Sequence, residues 1–178
     1  MNERIIPLDK DIYRGFTLPV TYETFQYYAI VQVGDAGDYR FGLSIRDLPE
    51  PMTKTFSLDL YPDYLPDAVA YGIFDDGLKA ALGFNHETWN NRLRITDIWV
   101  DPTCRRQGIG RELLAFAIRE AKVLGVRMIV LETQATNVDA VSFYLAGGFT
   151  LVGFDLFCYS NADDANKEIR LELGMRLT

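Results

Sequence analysis

Two rhythms of apolar and polar positions divide this chain. Up to about residue 100 the apolar positions fall in short runs rich in aromatic and β-branched residues; beyond it they also recur at helical spacing. Residues 22–33 form a dense run of the first kind, Gly34-Asp35-Ala36-Gly37-Asp38 interrupts it, and residues 39–45 resume it. That pattern predicts a β-hairpin. Leu48-Pro49-Glu50-Pro51 reads as a turn or extended connection, residues 56–60 as a short strand, and Pro62 and Pro66 interrupt any helix around them. The apolar run 68–74 ends at Asp75-Asp76-Gly77 and should pair across that turn with 79–85. Residues 86–91 make a polar turn into a third strand, 93–100, which Asp101-Pro102 ends. Three adjacent antiparallel strands are expected there.

The helical rhythm starts at residue 109. Ile109, Leu113, Phe116 or Ala117, and Ala121 recur on one face, while Glu112, Arg119, Glu120 and Lys122 are available for solvent. Gly125 is placed to stop this helix in the left-handed conformation that glycine tolerates. Residues 128–132 then read as a buried strand. Thr136 or Asn137 caps a second helix that ends at Gly147-Gly148, and residues 149–159 and 168–177 are closing strands around the polar loop 161–166. The expected fold is α/β (α+β), a mixed, mostly antiparallel sheet with flanking helices. The whole chain, 1–178, is expected to be one domain, with a β-rich part over 1–66 and a core over 67–178.

Between the third strand and the first long helix lies Arg105-Arg106-Gln107-Gly108-Ile109-Gly110. A strand, a short glycine turn with arginines and then a helix form a diphosphate site. The glycines let the backbone approach the phosphates, and the first-turn N–H groups of a helix lack intrahelical partners and carry partial positive charge. The loop is not a Walker A loop, which needs Gly-Lys followed by Ser or Thr. Nor is it a dinucleotide fingerprint, since Leu113 stands where a third glycine belongs.

Composition narrows the chemistry. The net charge of −7 argues against nucleic acid as the main partner and suits a cationic ligand. No apolar run is long enough to cross a bilayer, and the segment from Met1 to Pro7 lacks a signal peptide's layout, so a cytoplasmic location is expected. Cys104 and Cys158 show neither a close pairing nor metal-ligand spacing. His86 is the one histidine, which leaves a zinc site and a Ser-His-Asp triad without their parts, so no metal is expected.

The spacing Arg-x-x-Gly-x-Gly resembles the acetyl-CoA pyrophosphate loop of the GCN5-related N-acetyltransferase (GNAT) superfamily. Downstream, Asn137, Ala140, Phe143-Tyr144 and Gly148-Phe149 match the string that follows the loop in such enzymes. Leu131-Glu132-Thr133-Gln134, Gly153-Phe154-Asp155, Tyr159-Ser160-Asn161 and Glu168, with the early hairpin over 25–48, look like streptothricin acetyltransferases. The pair of helices usual between the first two strands of the superfamily is not found.

The resemblance implies an acetyl-CoA-dependent N-acetyltransferase of the GNAT fold working through a ternary complex. Its acceptor would be a primary amine on a cationic small molecule, with streptothricin's β-lysine amine the best single candidate. Acetylation of a protein, peptide or polyamine amine, or acyl-CoA sensing without catalysis, are the alternatives, and a homodimer is left open. By the same resemblance, the amides of Arg106, Gln107, Gly108, Ile109, Gly110 and Arg111 would hold the diphosphate, with Arg105 also in the cofactor-binding set. The backbone of Ile98, Trp99 and Val100 would pair with the pantetheine arm and polarise the thioester. Asn137 would contact that arm, and Tyr144 would protonate the leaving thiolate. Asp97, on the strand before the loop, is a candidate base or cation anchor; a plain structural carboxylate is an equal reading, and Glu132 is its rival.

Overall fold

The computed structural model describes residues 4–177; Met1, Asn2 and Glu3 of the segment read above for a signal peptide lie outside them. In chain order the elements are β1 (Ile6–Pro7), α1 (Lys10–Tyr13), β2 (Thr17–Val33), β3 (Arg40–Asp59), β4 (Val69–Phe74), β5 (Leu78–Glu87), β6 (Arg92–Val100), α2 (Ile109–Val123), β7 (Met128–Gln134), α3 (Val138–Ala146), β8 (Thr150–Asp155), α4 (Asp163–Asn166) and β9 (Arg170–Arg176). A 3-10 turn, Pro102–Cys104, follows β6. The mixed, mostly antiparallel α/β architecture is the expected one.

The chain gathers into two compact units. The first holds the chain up to Val20, Phe56–Leu131 and the end from Gly174. Its strands lie in the order β1-β4-β5-β6-β7. β1 pairs antiparallel with β4, β4 with β5 and β5 with β6, whereas β6 and β7 run parallel from Arg92↔Met128 to Ile95↔Leu131. The three antiparallel strands read from the sequence are thus present. The second unit holds Thr21–Thr55 and Glu132–Leu173, with the rest of β7, then β9 and β8, and the two-stranded ribbon β2–β3.

One irregularity decides what β6 presents. Ile95 pairs with Phe84 but Asp97 with Gly83, so Thr96 is an extra residue without a partner on β5. A bulge of one residue transfers the strand's side chains to the opposite face. Leu93 and Ile95 therefore share the face of Phe84, while Asp97 and Trp99 share that of Gly83 and Ala81. Both faces are covered, so burial still alternates regularly from Leu93 to Trp99. On the second face Trp99 packs with Leu8, Leu18, Leu60 and Tyr61, and its indole N–H donates to Pro19 O at 3.0 Å. Gly83 is required there because a Cβ would lie 2.4 Å from Thr96 Oγ1 and 3.2 Å from Asp97 Oδ2.

Helix α2 buries Ile109, Leu113, Leu114, Ala117 and Ala121, the stripe that the helical spacing predicts. Ala117 takes the buried position, and Phe116 instead meets Tyr71 at 4.7 Å between ring centroids. Gly125 follows with φ +66°, as expected of a helix stop.

The departures from the sequence reading are local. The hairpin is much longer than read, because β3 runs through Pro49 and Pro51 to Asp59. Prolines are tolerated on an edge strand, and a two-stranded ribbon has only edge strands. His86 and Glu87 extend β5 rather than starting a turn. β8 stops at Asp155, and the polar loop contains the single turn α4. Where two helices were noted as missing, the chain has one turn of helix and the ribbon.

Candidate functional site

In the first unit the loop between β6 and α2 is built by its own short-range bonds. The Asp101 carboxylate accepts from Thr103 N at 2.8 Å and from its hydroxyl, closing the turn after β6. Arg105 Nε donates to Val100 O at 3.2 Å, and Gln107 Nε2 to Thr103 O at 3.4 Å. Arg106 (φ +62°) and Gly108 (φ +87°) both take left-handed backbone, which folds the loop back onto the helix start. Arg105, Arg106, Gln107 and Gly108 are exposed.

Gly108 is the N-cap residue of α2, and no side chain caps the helix there. A Cβ built on Gly108 would meet nothing within 4 Å. An uncapped helix start facing open space, beside arginines, has the electrostatics and the room that a diphosphate needs. Residues 105–111 are therefore contiguous in space as well as in sequence, and they fit the group proposed for them.

Next along β6, the side chains of Ile98 and Val100 lie on one face and those of Asp97 and Trp99 on the other. Trp99 is 7% exposed, so its side chain is withheld from a ligand. The pairing of β6 with β7 ends at Ile95↔Leu131, before the residues assigned to the pantetheine arm.

Asp97 is 8% exposed, and among the described residues no Lys or Arg forms an ion pair with it. Burial pushes its carboxyl up to about 6 from the ordinary 3.8, and the charge of Asp59 adds to the effect. A carboxyl that titrates near neutral pH can accept a proton in a turnover cycle.

In the second unit α3 carries both remaining residues. Asn137 caps it, its side-chain oxygen accepting from Ala140 N at 3.2 Å, so one of the two alternatives for the cap is settled. Tyr144 is buried, with its ring 5.0 Å from Phe143 and 5.7 Å from Phe149 between centroids. The aromatic string thus fills core.

Sequence reasoning passed over a set of polar contacts in this unit. Tyr22 on the ribbon donates to Gln134 Oε1 at 3.0 Å, and its hydroxyl lies 3.0 Å from that of Thr136. Lys54 pairs with Glu168 at 2.5 Å in a half-buried site. Tyr159 donates to Glu132 Oε1 at 3.0 Å. These partners lie 27 to 114 residues apart, and no local motif signals them.

Among the described residues no group of three or more His, Cys, Asp or Glu is arranged to hold a metal, and no helix is long and apolar enough to cross a membrane. Residues 43–149 match the acetyltransferase (GNAT) family. A streptothricin acetyltransferase of Escherichia coli is 34% identical over 154 residues, covering 83% of this chain and 84% of that protein. The crystal structure of a nourseothricin acetyltransferase superposes with a TM-score of 0.78 at 28% identity, covering 98% of both chains. A Bacillus anthracis protein assigned as a streptothricin acetyltransferase, in complex with acetyl coenzyme A, gives 0.77 at 25% identity over 98% of this chain and 97% of its own.

Proposed function

The chain belongs to the acetyltransferase (GNAT) family and is an acetyl-CoA-dependent N-acetyltransferase, and we propose that its acceptor is streptothricin, acetylated on the β-lysine amine. The observation that carries the choice of acceptor is the extent of the likeness. An alignment covering 98% of the chain takes in the β2–β3 ribbon, which stands where the superfamily usually has helices. That ribbon is the part of the chain free to specialise toward an acceptor. Removing the positive charge of the amine would inactivate the antibiotic.

In this reading the amides of residues 106–111 and the start of α2 hold the diphosphate of acetyl-CoA. The backbone of Ile98, Trp99 and Val100 receives the pantetheine arm, and an N–H of that strand polarises the thioester carbonyl as negative charge develops on it. Asn137 contributes to the arm while capping α3. An alkylammonium with a pKa near 10 is only about one part in a thousand neutral at pH 7, so a base must take its proton. Asp97 takes that proton, directly or through water. The neutral amine adds to the thioester carbon, the tetrahedral intermediate collapses, and the C–S bond breaks. Tyr144 protonates the departing thiolate, and the extra proton released by the acylated nitrogen returns the phenolate to phenol.

The test is thiol release from acetyl-CoA with streptothricin beside polyamines, aminoglycosides and peptides. Turnover confined to streptothricin is expected. Activity on another amine with none on streptothricin would discard this acceptor and keep the family.

A further inference from the structure

The second unit carries a cleft that none of the roles above uses. It encloses about 430 Å³ and is lined by Phe157, Cys158, Tyr159, Ser160, Asn161, Asp163 and Asp164. Its wall is braced by hydrogen bonds within the loop. The buried carboxylate of Asp163 accepts from Tyr159 N at 2.8 Å, Ser160 N at 2.5 Å and the Ser160 hydroxyl at 2.9 Å. That carboxylate is spent on holding the loop. Phe157, in contrast, is 78% exposed, and Tyr159 is 37% exposed. Two aromatic side chains that line the cleft are thus accessible to a ligand.

Charge adds a second, independent observation. Tyr159 lines the cleft, and its hydroxyl donates to Glu132, an exposed carboxylate at the end of β7. Among the described residues no Lys or Arg forms an ion pair with Glu132. The guanidinium of Arg170 donates to Cys158 Sγ at 3.4 Å and feels the fields of Glu132, Glu172 and Asp155 together, so one cation faces three carboxylates. Tyr159 and Phe157 line the cleft, and the Tyr159 hydroxyl joins it to the Glu132 carboxylate. Aromatic faces beside a carboxylate are the pairing that recognises ammonium groups.

We infer that this cleft, with Glu132, Tyr159 and Phe157, is a subsite for an ammonium group of the acceptor other than the amine that is acetylated. An amine held as an ammonium against a carboxylate has no lone pair to attack a thioester, so the group bound here is an anchor and not the nucleophile. The subsite selects acceptors with at least two amino groups. The inference rests on the cationic-acceptor reading above, and β-lysine, with two amino groups, meets its requirement.

The experiment compares the full-length protein with Glu132→Gln and Phe157→Ala, using streptothricin, spermidine and the monoamine benzylamine as acceptors. Losing a charged hydrogen bond should raise the KM for streptothricin and spermidine about tenfold in Glu132→Gln, with the KM for acetyl-CoA and the handling of benzylamine unmoved. Phe157→Ala should raise the same KM values less; its exposed side chain can be removed without a cavity. An unchanged KM, an equal loss with benzylamine, or a collapse of kcat at constant KM would overturn the inference, the last by making Glu132 the base. If streptothricin is not a substrate but spermidine is, the proposed acceptor fails and the spermidine data still decide this point. If neither is turned over, calorimetric titration of spermidine decides: binding lost in Glu132→Gln supports the subsite, and no binding to the unaltered protein refutes it.

Discussion

Replacing Asp97 by Asn should make the enzyme more stable at neutral pH while disabling it. The amide keeps the size and shape of the carboxyl, so packing against Gly83 and the Trp99 face is retained. What changes is the proton. In the folded chain the carboxyl titrates at about 6, and in the unfolded chain at its ordinary 3.8. Between those values the folded state holds more protons than the unfolded state, so stability falls as pH rises through that window. The protonated carboxyl's contribution is fully present below pH 3.8 and is lost once the pH has passed 6.

At about 1.4 kcal/mol for each pH unit of displacement, the loss amounts to at most about 3 kcal/mol at pH 7 and above. The amide of the variant has no charge to bury and escapes it. Urea unfolding of both proteins at pH 4 and pH 8 measures the effect as a difference of differences, in which the other carboxylates cancel. The variant should gain up to about 3 kcal/mol on the unaltered protein between the two pH values. Identical pH dependence in the two proteins would refute the buried, unpaired carboxylate. The same variant should lose the acidic limb of kcat/KM near pH 6 and fall about 10²–10⁴-fold in turnover, as expected for a missing base. Full activity with the predicted gain in stability would leave Asp97 a structural carboxylate.

Three further substitutions probe the other parts. Tyr144→Phe keeps the ring contacts with Phe143 and Phe149 and should lower kcat about 10²–10⁴-fold, with acetyl-CoA affinity by calorimetry little changed; unchanged kcat would remove Tyr144 from the reaction. Gly108→Asp places a carboxylate where the chain itself leaves space, at φ +87°, and should abolish measurable acetyl-CoA binding while urea unfolding shows a loss of only the strain, about 1–2 kcal/mol; retained binding would displace the diphosphate from this loop. Gly83→Ala drives a methyl group into Thr96 Oγ1 and should cost about 1–3 kcal/mol in urea unfolding, with loss of activity if the bulge relaxes; a neutral result would mean that the bulge does not depend on this glycine.

What could be read from the sequence was whatever a few neighbouring residues dictate. The loop from Arg105 to Gly110 was legible because its glycines, its arginines and the helix after it act within one turn of each other, and Gly125 and Asn137 declared the ends of helices in the same local way. The ribbon was read too short for an equally local reason. Pro49 and Pro51 do break ladders inside a sheet, and nothing nearby tells the reader that β3 has no third strand to serve.

The bulge at Thr96 was invisible for a subtler reason. Burial alternates without a fault from Leu93 to Trp99, because both faces of the strand are covered on either side of the bulge. Pattern alone would place Asp97 on the face of Leu93 and Ile95. The register places it on the opposite face, buried beside Trp99 and within the field of Asp59, and that environment gives a lone carboxyl a pKa near neutrality. Its chemistry follows from one unpaired residue in a neighbouring register, and so from a long-range property of the sheet that residue types along a single strand do not encode. The contact of Tyr159 with Glu132 is of the same kind, since it joins the end of β7 to a loop beyond β8. Where chemistry depends on pairing register, substituting the glycine that permits the register should disturb function as much as substituting the acid itself, and Gly83→Ala set beside Asp97→Asn measures that equivalence.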